Sequence, residues 1–349
     1  MSLTSMVSNA FGKWTGRESA QLLTRDAKFP DVSEAPLDSR RLIRDRRYCC
    51  VLAKQGEVDF DELSQHCAWR GLQYEMDYIP GGVVRLCVDE VVEEDGRCYL
   101  SPRGNKQVNV EPYYLDRDCI TNADFARFVQ AGGYTQPQLW PKDILPFVLQ
   151  FVDRTGNTGP AFWSHGKPPA GLLEHPVVGV CWYEANAYAT WAGKRLPTSG
   201  EWQRAGTWPQ CRASGAAEQR YPWGNSFGHT RANIWSPNRC TTIPVDALDE
   251  GNTPNGVRQL TGNVWEWIDT QFCPASEGAA KVVLSEMMAE VRGGAFDTYF
   301  ASQATCVFRT GQAILSRPAN VGFRCCVHPR DLNVPASPVS TPTDEEHKL

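Results

Sequence analysis

Asn263 and Glu266 lie within Thr261-Gly-Asn-Val-Trp-Glu-Trp267, and their side-chain oxygens are the hard ligands that calcium prefers. Gly262, just before them, permits a backbone turn that aims successive carbonyls at one point. The Glu266 carboxylate could equally pair with an arginine, and both readings stay open. Arg309 and Arg324 carry the same ambiguity, because a buried arginine needs a partner and a pocket arginine needs a ligand. Trp182, Trp191, Trp202, Trp265 and Trp267 either line a ligand groove or clamp the core of a loop-rich fold. The 13 cysteines are scattered, with adjacent pairs at Cys49-Cys50 and Cys325-Cys326, no CxxC and no zinc-finger spacing. In a reducing compartment such thiols act as small buried hydrophobes. None of the 6 histidines stand four apart, and no Gly-x-Ser-x-Gly occurs, so histidine-metal and serine-triad chemistry gain no support.

A chain of 349 residues can build one large domain or two ordinary ones. Hydrophobic content of 42% with 21% charged residues is globular. The net charge of −5 argues against a general nucleic-acid binder. No apolar run approaches the roughly eighteen residues of a membrane-spanning helix. Met1-Ser-Leu-Thr-Ser-Met6 shows no basic segment leading into an apolar one, so no secretory signal is visible. The expectation is a cytoplasmic protein without a membrane partner.

Residues 1–77 read as an N-terminal extension, partly helical. Phe29-Pro-Asp-Val-Ser-Glu-Ala-Pro36 is a turn-rich linker. Ser39-Arg-Arg-Leu-Ile-Arg-Asp-Arg-Arg47 is a helix-compatible arginine run, either a grip for phosphates or an acidic partner, or a solvated face. Phe60, Leu63 and Cys67 predict a short amphipathic helix. A main domain over 78–328 follows. Val83–Val88 and Val108–Tyr114 have strand composition. Thr121 with Asp124 predicts a capped helix carrying Phe125, Phe128 and Val129 on one face, ended by Gly132-Gly133. A second helix, Tyr183–Ala192, has a stripe of Ala185, Tyr188, Ala189 and Ala192. Thr198-Ser-Gly-Glu201 opens a third. Beyond residue 207 periodicity fades, and long loops clamped by aromatics are expected up to about 325. Residues 329–349 read as a disordered tail.

Several blocks, in this order, resemble the formylglycine-generating enzyme (sulfatase-modifying factor) family. They are Tyr113–Phe128, Pro176–Ala185, Trp191–Trp202, Tyr221-Pro-Trp-Gly-Asn225, Ala232-Asn-Ile-Trp235, Thr261–Trp267, Val291-Arg-Gly-Gly294 and Asn320-Val-Gly-Phe-Arg-Cys325. The resemblance spans roughly residues 78–327 and implies an α+β, C-type-lectin-like fold with much irregular loop structure. It implies calcium held by the Gly262 and Val264 carbonyls, the Glu266 carboxylate and the side chain at 259, here Gln259. A second calcium position would start at Asn233 and Ile234, but no carboxylate stands in the right place after them. The family's copper-dependent oxidation of a peptide cysteine uses two thiolates, soft ligands suited to Cu(I). Counted from Arg292, those positions are Thr298 and Gln303, neither of which can replace a thiolate. The serine usually following Gly-Gly is Ala295, and Cys306 matches a structural cysteine. Trp265 and Arg309 match pocket positions. A related branch uses non-haem iron on a three-histidine site, for which the N-terminal region offers only His66. Copper and iron are therefore not expected, while calcium is.

Two functions follow from the resemblance. The leading one is a catalytically silent domain that binds a protein or peptide, displaying Tyr299, Phe300 and Ser302 with Thr298 and Gln303 on the segment 297–316. Tyr, Phe and small polar residues suit a binding face, and the domain is similar to the variable proteins of diversity-generating retroelements. The alternative is a metal-dependent oxidoreductase acting on a cysteine or other thiol, with Cys181, Cys306, Cys325 or Cys326 redox active.

Overall fold

Two helix starts close as the sequence requires. Thr121 accepts from the Asp124 backbone while the Asp124 carboxylate returns to Thr121, a complete capping box before Asn122–Gln130. Glu201 accepts from the Thr198 backbone N–H at 2.8 Å and from its hydroxyl at 2.9 Å at the start of Ser199–Thr207. The computed structural model describes residues 38–54, 58–94, 97–207, 219–236, 239–272 and 287–333, with side chains 87–105 outside that description. The expected linker at 29–36 and the tail beyond 333 lie outside the described residues.

The helices are α1 (Ser39–Arg44), α2 (Tyr48–Leu52), α3 (Glu62–Glu75), α4 (Asn122–Gln130), α5 (Leu145–Val148), α6 (Trp182–Trp191) and α7 (Ser199–Thr207). The strands are β1 (Met76–Ile79), β2 (Gly82–Glu94), β3 (Arg97–Val110), β4 (Tyr113–Asp116), β5 (Trp265–Gln271), β6 (Met288–Arg292), β7 (Thr310–Ala313), β8 (Val321–Gly322) and β9 (Cys326–Val327). Among the described residues they form three sheets, β1-β4-β9, the hairpin β2-β3, and β7-β6-β5-β8, in which β5 and β8 pair in parallel. The fold is α+β, as expected.

Three sequence expectations change. The segment from 207 to 325 is not loop alone, since β5, β6, β7 and β8 make a four-stranded sheet there. Helix α6 buries nearly its whole circumference rather than a stripe, with Tyr183, Glu184, Ala185, Ala187, Tyr188, Ala189 and Trp191 all buried. Of the stripe expected for α3, Phe60 packs just before the helix, but Leu63 and Cys67 are exposed, and Ala68 and Leu72 are buried instead.

The main core gathers Phe125, Phe128, Trp163, Tyr188, Trp191, Trp267 and Phe323. A second cluster lies around Trp202, with Ile79, Tyr113 and Ile268. The N-terminal helices do not stand apart from these. Leu42, Leu52, Leu72 and Met76 pack with Val327 and Leu332 from the far end of the chain. Arg47 lies 4.7 Å over the Trp191 ring and donates to the Trp191 carbonyl at 2.6 Å. Gly193 (φ 71°) lets α2 approach so closely that a Cβ there would meet the Cys50 nitrogen at 2.9 Å. Packing also runs past 328: Pro329–Asp331 form a 3-10 turn and Leu332 is buried. Leu332→Ala should therefore cost about 2–4 kcal/mol, the usual loss for a truncated core leucine, read by urea denaturation. A change within experimental error would place residue 332 in a dispensable tail.

Candidate functional site

Glu266 on β5 is the polar centre of the domain. Its Oε2 accepts from Trp202 Nε1 at 2.8 Å and Arg324 Nε at 2.9 Å. Its Oε1 accepts from Arg324 Nη2 at 2.8 Å and the Cys119 thiol at 3.3 Å. Arg324 is fully buried and also donates to the carbonyls of Asp116, Arg117 and Arg258. Burial works against its charge, but the facing Glu266 outweighs that and raises its pKa. Burial, and then Glu266, push the Cys119 thiol well above its ordinary value. Of the five tryptophans, Trp191, Trp202 and Trp267 are core clamps, Trp182 is tied to the Ile268 carbonyl at 3.0 Å, and Trp265 is half-buried.

After β6 the chain turns at Gly293 (φ 95°) and Gly294 (φ 76°), a backbone that side-chain-bearing residues rarely adopt. A Cβ on Gly293 would meet the Leu260 carbonyl oxygen at 2.7 Å, so this close approach requires glycine. The next turn is closed by Thr298, whose hydroxyl accepts from Ala295 N–H at 2.8 Å while its own N–H donates to the Ala295 carbonyl at 2.9 Å. Ala295, Thr298 and Cys306 are all buried, and Cys306 packs against Gly206. They pack within the loop and hold it. Gln303 is half-buried in the 3-10 turn Ala301–Ala304. Arg309 pairs with Glu290 at 3.3 Å and lies over the Phe272 ring.

The opposite side of that loop is open. Tyr299 is 63% exposed and Phe300 59%, their rings 5.1 Å apart, and Ser302 is exposed beside them. Trp235, 42% exposed, places its ring 4.9 Å from Tyr299 and its N–H on the Thr298 carbonyl. Three contiguous aromatics thus stand in solvent directly above the buried Thr298. Trp235 was not anticipated as part of this face, because nothing near residue 235 marks it.

Residues 62–329 match the sulfatase-modifying factor enzyme 1-like domain, which is more than half of the chain. The chain belongs to the formylglycine-generating enzyme family. It is 31% identical to the formylglycine-generating enzyme of Thermomonospora curvata over 72% of this chain and 92% of that protein. It is 32% identical to the inactive C-alpha-formylglycine-generating enzyme 2 of Mus musculus over 72% of this chain and 84% of that protein. Among solved structures, PvdO from Pseudomonas aeruginosa is 20% identical, covering 72% of this chain and 93% of that one, with a TM-score of 0.48.

The metals that this family implies can be tested against the residues present. For copper, a buried threonine hydroxyl already engaged by Ala295 and a glutamine amide supply no soft ligand. The set Thr298, Gln303 does not fit. For calcium, all four donors on Glu266 come from protein groups, and a carboxylate has about four lone-pair sites to offer. Gln259 donates to the Pro244 and Ala247 carbonyls, and its oxygen accepts from Asn263 at 2.6 Å. The Gly262 carbonyl accepts from Val264 N–H at 2.9 Å. Protein hydrogen bonds thus already engage Gln259, the Gly262 carbonyl and Glu266, and with those three taken up the Gln259, Gly262, Val264, Glu266 set does not fit calcium as arranged. At Asn233 the buried Oδ1 lacks a hydrogen-bond partner, but among the described residues no three carboxylate, thiol or imidazole groups gather to hold a metal ion.

Breaking the Glu266–Arg324 pair from one side should be severe. Arg324→Ala leaves a buried carboxylate uncompensated and should cost about 3–5 kcal/mol. The paired Glu266→Gln, Arg324→Met variant should recover part of that loss. Chelator should leave the wild-type urea midpoint unchanged; a midpoint that falls on calcium removal would contradict the fit test.

Proposed function

We propose that this chain is a catalytically silent member of the formylglycine-generating enzyme family that binds a protein or peptide segment. The observation carrying the proposal is the exposed run Trp235–Tyr299–Phe300, seated on the loop whose copper-thiolate positions are Thr298 and Gln303. Solvated aromatics on a loop fixed from beneath lose little conformational freedom on binding, which is the property of binding hot spots. One mouse relative is named inactive C-alpha-formylglycine-generating enzyme 2. Burial pushes the thiols of Cys181, Cys325 and Cys326 well above their ordinary values, which keeps them protonated and inert and counts against the oxidoreductase alternative.

Peptides selected from a random library on the immobilised protein supply the test. Tyr299→Ser with Phe300→Ser should weaken their binding at least tenfold while the melting temperature stays put, because both rings are exposed. Equal binding to the double variant would remove the face from the site.

A further inference from the structure

The run of rings at Trp235, Tyr299 and Phe300 continues past Phe300. Ala301 comes next, and its carbonyl accepts from the Tyr221 hydroxyl at 3.1 Å. That bond ties the loop to a second pair of rings. Trp223, half-buried, stacks on Tyr221 with centroids 5.3 Å apart. Arg220 is exposed, its guanidinium carbon 5.9 Å from the centroid of the Tyr221 ring. The Arg220 carbonyl accepts from Cys306 N–H at 2.8 Å, which fixes its backbone to the loop's far end. At the other end of the run stands a second arginine. Ser236, next to Trp235, forms a backbone bridge with Arg239, whose N–H donates to the Ser236 carbonyl at 3.0 Å. Arg239 is exposed as well. A continuous series of contacts therefore leads from one exposed arginine, across the rings, to another.

The charges at these two ends are not spent within the protein. Among the described residues neither Arg220 nor Arg239 forms an ion pair with a carboxylate. Arg231, between them in sequence, already has Glu250 at 3.8 Å. Residues 219–239 contain three arginines and no Asp or Glu. The loop itself carries one acid, Asp297, which accepts from the Asn320 amide at 2.9 Å. With a net charge of −5 over the chain, this cationic rim is a local feature and not part of a basic surface. A single exposed arginine would signify little. Two that bracket a solvated aromatic run match the anatomy of an interface, where Tyr, Trp and Arg are enriched and rim charges select the partner.

We infer that the segment bound on this face is acidic: an aromatic or large aliphatic side chain settles against Trp235, Tyr299 and Phe300, and carboxylates on either side of it meet Arg220 and Arg239. This preference rests on the aromatic run being a peptide-binding face, and it adds the chemistry of the partner. The rings supply apolar contact. The guanidinium groups, which can each grip a carboxylate through two N–H donors, supply specificity.

Sequencing the peptides that a random library yields on the immobilised wild type at about 50 mM salt provides the test. They should be enriched roughly threefold or more in Asp and Glu over the input, on both sides of an aromatic or aliphatic residue. Affinity for such a peptide should fall at least tenfold by about 500 mM salt, because screening weakens a charge-driven contact. Arg220→Glu with Arg239→Glu should weaken it at least tenfold and select basic peptides instead. Arg220→Gln with Arg239→Gln should weaken it without that reversal. Melting temperatures matching the wild type check that these variants fold, since both side chains are exposed. A wild-type pool without acidic enrichment overturns the inference while leaving the aromatic face a binding site, provided that Tyr299→Ser with Phe300→Ser still abolishes binding. Acidic peptides that bind the doubly reversed variant as tightly as the wild type overturn it in the same way. A library that yields no binding peptide overturns both the acidic preference and the binding face beneath it.

Discussion

A buried carboxylate facing a buried arginine organises this fold, most completely at Glu266 and Arg324. Long stretches of the domain lack helix or sheet, so their backbone carbonyls need donors from elsewhere. Arginine, with five N–H groups in a rigid fork, can satisfy several carbonyls at once if an anion neutralises it. Arg324 gathers the carbonyls of Asp116, Arg117 and Arg258 around Glu266. The device recurs. Arg317 ties Glu184 to the carbonyls of Val152 and Gly159. Arg292 joins Glu290 to Ser199 and the Cys306 carbonyl. Each hub fixes loops that are far apart in sequence.

The proposed binding face depends on this rigidity. The Glu290–Arg292 hub holds the end of β6 and the Cys306 carbonyl, and so fixes both ends of the loop that carries Tyr299 and Phe300. The Gly293-Gly294 turn and the Thr298 hydroxyl fix its middle. On the proposed reading, Thr298, at a position where the family resemblance implies a thiol, serves as a structural cap, while Tyr299 and Phe300 are turned out.

What was legible in the sequence was mostly local. The capping boxes at Thr121 and Thr198 depend on residues three apart, and both closed as expected. Ordered motif blocks placed the family. The β5–β7 sheet was missed because its strands pair across long insertions and its register slips between Trp267 and Gln271, which erases a clean alternation. In α3 the apolar residues Leu63 and Cys67 suggested a stripe, yet packing against α1, α2 and the chain's far end selected Ala68 and Leu72. Trp235 escaped notice because its partner, Tyr299, is distant in sequence. For Glu266 the residue types left an arginine partner open beside the expected calcium. The approach of Trp202 and Cys119, which no local pattern encodes, decides the geometry.

The most direct test of the account is a copper-loaded oxidation assay on the purified protein with a cysteine-bearing peptide. Metal content is read by elemental analysis and the peptide's mass by mass spectrometry. No stoichiometric copper and an unchanged peptide are expected, since Thr298 and Gln303 occupy the positions at which the family resemblance implies soft thiolates. Copper retained at one per chain, with oxidised peptide, would contradict it and would mean that cysteines described as buried packing groups form an active site.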